Sequence, residues 1–370
     1  MKAVSKMKRV FHIISHFDVG GAERVAVNIA KSPNPQIEYH VVELIRARSP
    51  FTRVFISEMR QAGIRYHRFC VPDVHFHYLF ERLAACLFPL WFAVLYWRYR
   101  PDVVHSHTEM PDLAVCLFFR LFPRCLRRCK VVRTIHNSRQ WEGLHATGRR
   151  VEAFMQRCRA NVAISDSVQE NYLHAYGECA PIIHNGIAPV EQQPYPHLRA
   201  DRQNILFAGR FEPQKGIDTL VRIIQSLSGD ARYHFHLFGD GSLRKEAEKA
   251  LEHCSNVTFR PALFGIARYM QSFQYMLMPS EFEGLSILSI EASFNGLPVI
   301  INNCPGLRDT LPPDWPLKVN GNALSQYTDL FQSILPAVNQ AEICAQAFRY
   351  ADFHFGIQQM WSGYEAIYLA

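Results

Sequence analysis

Ile205-Leu206-Phe207-Ala208-Gly209-Arg210-Phe211-Glu212-Pro213-Gln214-Lys215-Gly216-Ile217-Asp218 reads as a short apolar strand, a glycine-bearing turn and the opening of a helix. The same unit recurs downstream. Residues 235–238, 257–259, 275–278 and 299–301 read as strands, and 218–228, 243–253 and 285–294 as helices between them. The first half repeats the rhythm, with strands over 10–15, 39–44, 103–105, 131–135 and 162–164. Strand–helix alternation means parallel sheets covered on both faces. Residues 188–196, rich in Pro and Gln and without a helical or strand period, read as a linker. The expected fold class is therefore α/β, with two doubly wound, Rossmann-like domains facing a cleft. The expected bounds are 1–187 and 197–350, with 355–370 an amphipathic helix. Ligands of such sheets bind at the carboxyl ends of the strands.

The chain has 370 residues, 48% of them apolar and 20% charged, which excludes a disordered chain. Its net charge of +7 is uneven. Residues 1–187 hold 26 basic and 15 acidic side chains, and 188–370 hold 14 and 18, so the halves carry +11 and −4. A basic first half points to an anionic partner: nucleic acid, a phosphorylated ligand or a membrane surface. The ten cysteines show no C-x-x-C pair, and the N-terminus shows no secretory pattern, so reduced thiols in a cytoplasmic protein are expected. The apolar stretch 83–97, interrupted by Pro89 and flanked by Arg82, Arg98 and Arg100, is short for a membrane span. It reads either as a buried helix or as a helix at a membrane interface, with Trp91, Tyr96 and Trp97 at head-group level. Residues 113–130 mix Leu117, Phe118, Phe119, Leu121 and Phe122 with Arg120, Arg124, Arg127, Arg128 and Lys130, which favours the surface reading.

Polar clusters follow several strand ends. Gly20-Gly21-Ala22-Glu23 opens the first helix, where free N–H groups can meet an anion. It is not G-x-G-x-x-G, and no G-x-x-x-x-G-K-[ST] occurs, so neither a dinucleotide fingerprint nor a P-loop is present. Arg210 and Lys215 put a fork donor and a point cation beside a helix N-terminus, which suits a diphosphate; alone they would pass for surface cations. Glu283 and Glu291 are eight apart. On one helix opening near Gly284 they would share an azimuth about 12 Å apart, the span from a sugar to a ribose. His105 and His107 follow a strand, and their alternate positions are read as pointing to opposite faces, so that at most one faces the cleft. H-x-H also suggests a metal, but no further ligand cluster supports one. His136-Asn137 is another polar strand-end pair.

Together these motifs resemble the retaining, GT-B-fold glycosyltransferases of family 4, many of which build bacterial surface polysaccharides. The resemblance runs through Gly20–Glu23, Asp102–His107, His184-Asn185-Gly186, Gly209-Arg210 with Lys215-Gly216, Phe238–Gly241, and Pro279-Ser280 through Glu283…Glu291 to Gly296-Leu297-Pro298-Val299-Ile300. It implies that Arg210 and Lys215 hold the donor diphosphate. Glu283 would contact the transferred sugar and Glu291 the ribose. Backbone N–H groups at Gly284, Leu285 and Ser286 would meet sugar and phosphate, and Gly21 would let phosphates or acceptor approach. His107 is expected to line the reaction centre, with His105 second. The C-terminal helix is expected to cross back onto the first domain. No D-x-D is present, so protein cations would replace a metal ion, and no cofactor is expected beyond a nucleoside-diphosphate sugar, UDP favoured. Arg260, Gln274-Tyr275 and Cys304–Asp309 depart from the family's usual residues, with Asp309 standing in for a glutamate.

The expected function is retaining transfer of a sugar to a hydroxyl of a lipid-linked glycan. The expected location is the inner face of the cytoplasmic membrane, on anionic lipid, without nucleic acid. The rivals are a nucleotide-sugar epimerase on the same fold and a non-catalytic binder of anionic ligands.

Overall fold

The computed structural model describes residues 7–18, 20–72, 77–137 and 140–370; Lys2 and Lys6 of the basic half lie outside them. The chain divides into two units, Met1–Gly186 with Ile357–Ala370, and Ile187–Gly356.

In the first unit, strands β1 (Lys8–Ile14), β2 (Ile37–Glu43), β3 (Arg65–Arg68), β4 (Val103–His107), β5 (Lys130–Ile135) and β6 (Asn161–Ala163) alternate with helices. These are α1 (Gly21–Ala30), α2 (Pro50–Gln61), α3 (His77–Tyr99), α4 (Glu109–Leu121), α5 (His145–Arg157) and α6 (Asp166–Tyr176). All strand pairs are parallel, in the order β3-β2-β1-β4-β5-β6. Every residue of β4 is buried, as a strand covered on both faces requires. The strand order reverses between β1 and β4. The loops leaving these two strands therefore diverge and open a crevice at their carboxyl ends.

The second unit repeats the plan. Strands β7 (Gln203–Ala208), β8 (Tyr233–Phe238), β9 (Val257–Arg260), β10 (Tyr275–Met278), β11 (Val299–Asn302) and β12 (Lys318–Val319) form a parallel sheet in the order β12-β11-β10-β7-β8-β9. Its helices are α7 (Ile217–Ser226), α8 (Arg244–Ala250), α9 (Ile287–Phe294), α10 (Leu324–Asp329), α11 (Leu335–Ala337) and α12 (Gln340–Phe355). The reversal here falls between β7 and β10, so the turn after β7 and the loop after β10 flank the crevice. A last helix, α13 (Ile357–Leu369), belongs to the first unit. Its Trp361 Nε1 donates to Asn28 O at 2.7 Å, and Tyr364 and Tyr368 are buried against the sheet's histidines.

Three readings are corrected. β3 and β12 carry no apolar run: Arg65-Tyr66-His67-Arg68 is a half-exposed edge strand and β12 has two residues. The helix expected over 285–294 starts at Ile287, because Ser286 is its N-cap and accepts from Ser289 N at 3.4 Å. The stretch 188–196 has no regular structure, yet it is strapped onto the second unit. Gln192 Nε2 donates to Asn295 Oδ1 at 2.7 Å, and Tyr195 N donates to Ser272 Oγ at 2.9 Å.

α3 presents one buried face and one exposed apolar face. Ala84, Ala85, Phe88, Phe92, Ala93 and Tyr96 are buried in the core. Leu83, Leu87, Leu90, Val94 and Trp97 are 44–65% exposed. Their spacing of four, three, four and three residues puts them in one stripe, roughly 21 Å long at about 1.5 Å per residue.

Candidate active site

The second unit's crevice is built by glycines that let two loops touch. Gly216 has φ +66°, and a Cβ there would lie 1.9 Å from Pro279 O. The turn carrying Lys215 can therefore sit directly on the loop after β10. Gly306 has φ +75°, and its Cβ would lie 2.2 Å from Glu283 O. These approaches fix Glu283: Lys215 Nζ lies 2.6 Å and Ser280 Oγ 2.8 Å from its Oε1. Gln214 adds two ties, donating from Nε2 to Phe282 O at 3.1 Å and accepting from Glu281 N at 2.8 Å. Arg210 is exposed, with its Nη2 3.3 Å from Gln214 Oε1. Glu283 is 7% exposed, and Leu285 and Ser286 are buried.

Thus Arg210, Lys215, Glu283, Gly284, Leu285 and Ser286 all belong to the switch-point loops. Their arrangement differs from the expectation in two ways. Lys215 and Glu283, read as separate ligands of the donor, are paired with each other. And Glu283 lies in the loop ahead of α9, so the shared-azimuth argument for Glu283 and Glu291 does not hold. Residues 283–286 are not helical, and only Glu291 projects from the helix.

In the first unit the chemistry is histidine-rich. His12 Nδ1 lies 2.9 Å from His107 Nε2, and His107 Nδ1 lies 3.0 Å from His136 Nε2. His105 Nδ1 meets Tyr368 OH at 2.6 Å, and its Nε2 meets Thr134 Oγ1 at 2.7 Å, which in turn is 2.7 Å from Tyr364 OH. His105 and His107 were expected on opposite faces. Residues two apart in a strand share a face, and their rings stack at 4.2 Å between centroids. His107, expected at the reaction centre, is fully buried with both ring nitrogens engaged. The least buried ring of the line is His136, 9% exposed just past β5. Burial pushes His12 and His136 down to about 3, and His105 and His107 well below the ordinary imidazole value, so all four are neutral.

Three of these rings, His12, His105 and His107, have ligand atoms within 4.8 Å of one another. They fit a hydrogen-bonded cluster better than a metal centre. Both nitrogens of His105 are taken by hydroxyls, and among the described residues no carboxylate joins the group.

Beside them, Arg133 is buried between Asp112 Oδ2 at 2.7 Å and Glu152 Oε2 at 2.6 Å, and Trp141 Nε1 and Tyr172 OH donate to Glu152 at 2.7 and 2.9 Å. Burial lifts the Asp112 carboxyl to about 7 despite Arg133. Tyr172 of this network also lines a recess of about 280 Å³, together with Asn137, Gln140, Glu142, His145 and Asn171. Gly21 is exposed at the start of α1, and a Cβ there would meet nothing within 4 Å.

Sequence reading missed His12 and the Arg133 network. Each had a signal: a polar residue alternating with apolar ones inside a buried strand, Phe11-His12-Ile13 and Val132-Arg133.

Two family models match this chain. One, described as Glycosyltransferase Family 4, covers residues 19–191; the other, Glycosyl transferases group 1, covers 202–338. Both describe glycosyltransferases, and between them they match most of the chain, which is a glycosyltransferase. Among curated relatives of this glycosyltransferase, a Klebsiella pneumoniae protein described as an uncharacterized 41.2 kDa protein in the cps region is 25% identical over 57% of this chain and 62% of its own. The chain thus spans less than two thirds of that relative. A Staphylococcus aureus capsular polysaccharide biosynthesis glycosyltransferase, CapH, is 24% identical over 80% of this chain and 82% of its own. Among solved structures, Anabaena Alr3699/HepE in complex with UDP superposes with a TM-score of 0.76 at 18% identity, over 98% of this chain and 99% of that one. At that identity the likeness establishes the fold, GT-B.

Proposed function

We propose that this glycosyltransferase moves a sugar, with retention of configuration, from a nucleoside-diphosphate sugar to a hydroxyl of a lipid-linked glycan in surface polysaccharide synthesis. The observation that carries the reading is the Lys215–Glu283 pair at the second unit's switch point, with exposed Arg210 on the same turn. A diphosphate entering there would draw Lys215 from Glu283. That frees the carboxylate to accept from sugar hydroxyls while two cations meet the charge that develops on the leaving phosphate. Backbone N–H groups at Gly284 and Leu285 and the side chain of Glu291 complete the donor contacts; the N–H of Ser286, expected among them, is instead donated to Gly306 O at 3.2 Å. UDP, present in the HepE complex, is the favoured base carrier, and cations of the chain take the part a metal would play. Among the described residues no side chain stands out as a covalent nucleophile, so the incoming hydroxyl attacks from the leaving-group face. The recess next to Asn137 and Gln140, with both amide and aromatic side chains on its walls, suits a glycan acceptor.

The exposed stripe on α3 supports attachment to the inner face of the cytoplasmic membrane. α3 is long and apolar enough to span a bilayer, but one of its faces is locked in the first unit's core, so it can only lie along a surface. Arg98, Arg100, Arg120, Arg124, Arg127 and Arg128 are exposed around the stripe's Trp97 end, where Tyr96 OH donates to Cys125 O at 3.2 Å and Trp97 meets Phe122 at 5.2 Å. Each cation near anionic lipid is worth about 1 kcal/mol.

A thermal-shift panel of UDP-, GDP- and ADP-sugars tests the donor assignment. One donor class should stabilise the protein, and Lys215→Ala should abolish that stabilisation. Equal stabilisation of wild type and variant would sink the site.

A further inference from the structure

His12, His107 and His136 form a line of imidazoles across the carboxyl ends of β1, β4 and β5. Each neutral ring has one N–H and one bare nitrogen. The two links join Nδ1 of one ring to Nε2 of the next, so the rings cannot choose tautomers independently. If all three carry the proton on Nδ1, His12 donates to His107 and His107 donates to His136. If all three carry it on Nε2, both bonds run the other way. Any mixed state sets N–H against N–H, or lone pair against lone pair, at 2.9–3.0 Å. Losing one buried hydrogen bond disfavours such a state roughly ten- to hundredfold.

The inner end of the line selects between the two uniform states. His12 is fully buried, and its Nε2 has no hydrogen-bond partner among the described residues. Protonation on Nε2 throughout would leave a buried N–H there without an acceptor, the rarer of the two defects in folded proteins. Protonation on Nδ1 leaves only a bare nitrogen.

We propose that His12 and His107 are positioning residues that lock His136 as its Nδ1–H tautomer, so that the nitrogen outside the line is offered as a hydrogen-bond donor to a substrate hydroxyl. His136 lines a narrow crevice with Thr108, Asn137 and Gln140, the last two of which also line the larger recess. The role at a hydroxyl rests on the transfer reading; the tautomer lock does not. The second buried chain, Tyr368 and Thr134 on the two nitrogens of His105, holds that ring out of the line and keeps it from competing for His107.

The test is long-range proton–nitrogen correlation NMR on the full chain labelled with nitrogen-15 histidine, with the His136 signals assigned by their loss in His136→Asn. Wild type should show His136 protonated on Nδ1 and bare on Nε2. His107→Leu should return it to a mixture of tautomers and lower kcat about ten- to hundredfold with little change in donor KM. His107→Asn, whose side-chain amide can stand where Nδ1 stood and donate to His136, should restore both. A wild-type His136 protonated on Nε2 would overturn the lock, and so would an unchanged tautomer in a folded His107→Leu. Stoichiometric zinc uptake that shifts His12, His105 and His107 together would also overturn it, since the rings would then be ligands. The wild-type spectrum decides even if the leucine variant does not fold. If the lock is seen but wild type transfers no sugar, the lock stands and the transfer reading falls.

Discussion

Lowering the pH from 7.5 to 5.5 should destabilise the first unit by about 6 kcal/mol. His12, His105, His107 and His136 are held neutral in the fold, at about 3 for His12 and His136 and well below the ordinary value for the other two. In the unfolded chain each titrates near 6.5. A depressed folded value means the stabilisation is complete above 6.5 and is lost as the pH falls below it. Over this interval each ring costs about 1.4 kcal/mol, because the unfolded state takes up a proton that the folded state refuses. Asp112 works in the opposite direction. Its folded value, raised to about 7, lets the folded state take a proton first and gives back about 2 kcal/mol. Arg133 keeps its charge, and Tyr364 and Tyr368 do not titrate in this range. His40 and His67, pushed down to about 4, add to the loss. Against a total stability of about 5–15 kcal/mol the effect is large. Urea unfolding followed by tryptophan fluorescence reads it, since Trp91, Trp97, Trp141 and Trp361 all lie in this unit. The midpoint should fall by about 3 M for an m-value near 2 kcal/mol/M. His12→Phe should shrink the pH effect by about 1.4 kcal/mol. A midpoint that moves by less than about 0.5 M would refute the reasoning, because the rings would then be titrating in the folded protein.

Gly216→Ala should cost about 1–2 kcal/mol for left-handed backbone, and more because its Cβ would strike Pro279 O; calorimetry should show donor binding weakened at least tenfold as Lys215 is displaced. Leu90→Glu with Val94→Glu should abolish flotation with anionic vesicles while leaving donor-induced thermal shifts intact. Charge-to-glutamine changes at Arg124, Arg127 and Arg128 should weaken flotation most at low salt. Unchanged flotation in either set would show that the stripe and its arginines do not meet lipid.

The layered plan of both units was legible because buried parallel strands are near-continuous apolar runs, and ten of the twelve strands carry one. Arg65–Arg68 and Lys318-Val319 were not, since an edge strand and a two-residue strand bury too little to impose a pattern. The donor loops were legible from residue chemistry at strand ends. The salt bridge between Lys215 and Glu283 was not, because it depends on two positive-φ glycines bringing distant loops together. The histidine line was half legible. Its members on β4 were singled out, but strand parity puts them on one face, and His12 enters from β1, 95 residues before its partner His107.

The most direct measurement of the central claim follows a matched nucleotide sugar by phosphorus and proton NMR, with and without a lipid-linked glycan in anionic vesicles. The account predicts that nucleoside diphosphate is released only when the acceptor is present, that the new linkage keeps the donor's anomeric configuration, and that Lys215→Ala stops the reaction. Donor consumed at the same rate without acceptor, or a product of inverted configuration, would contradict it.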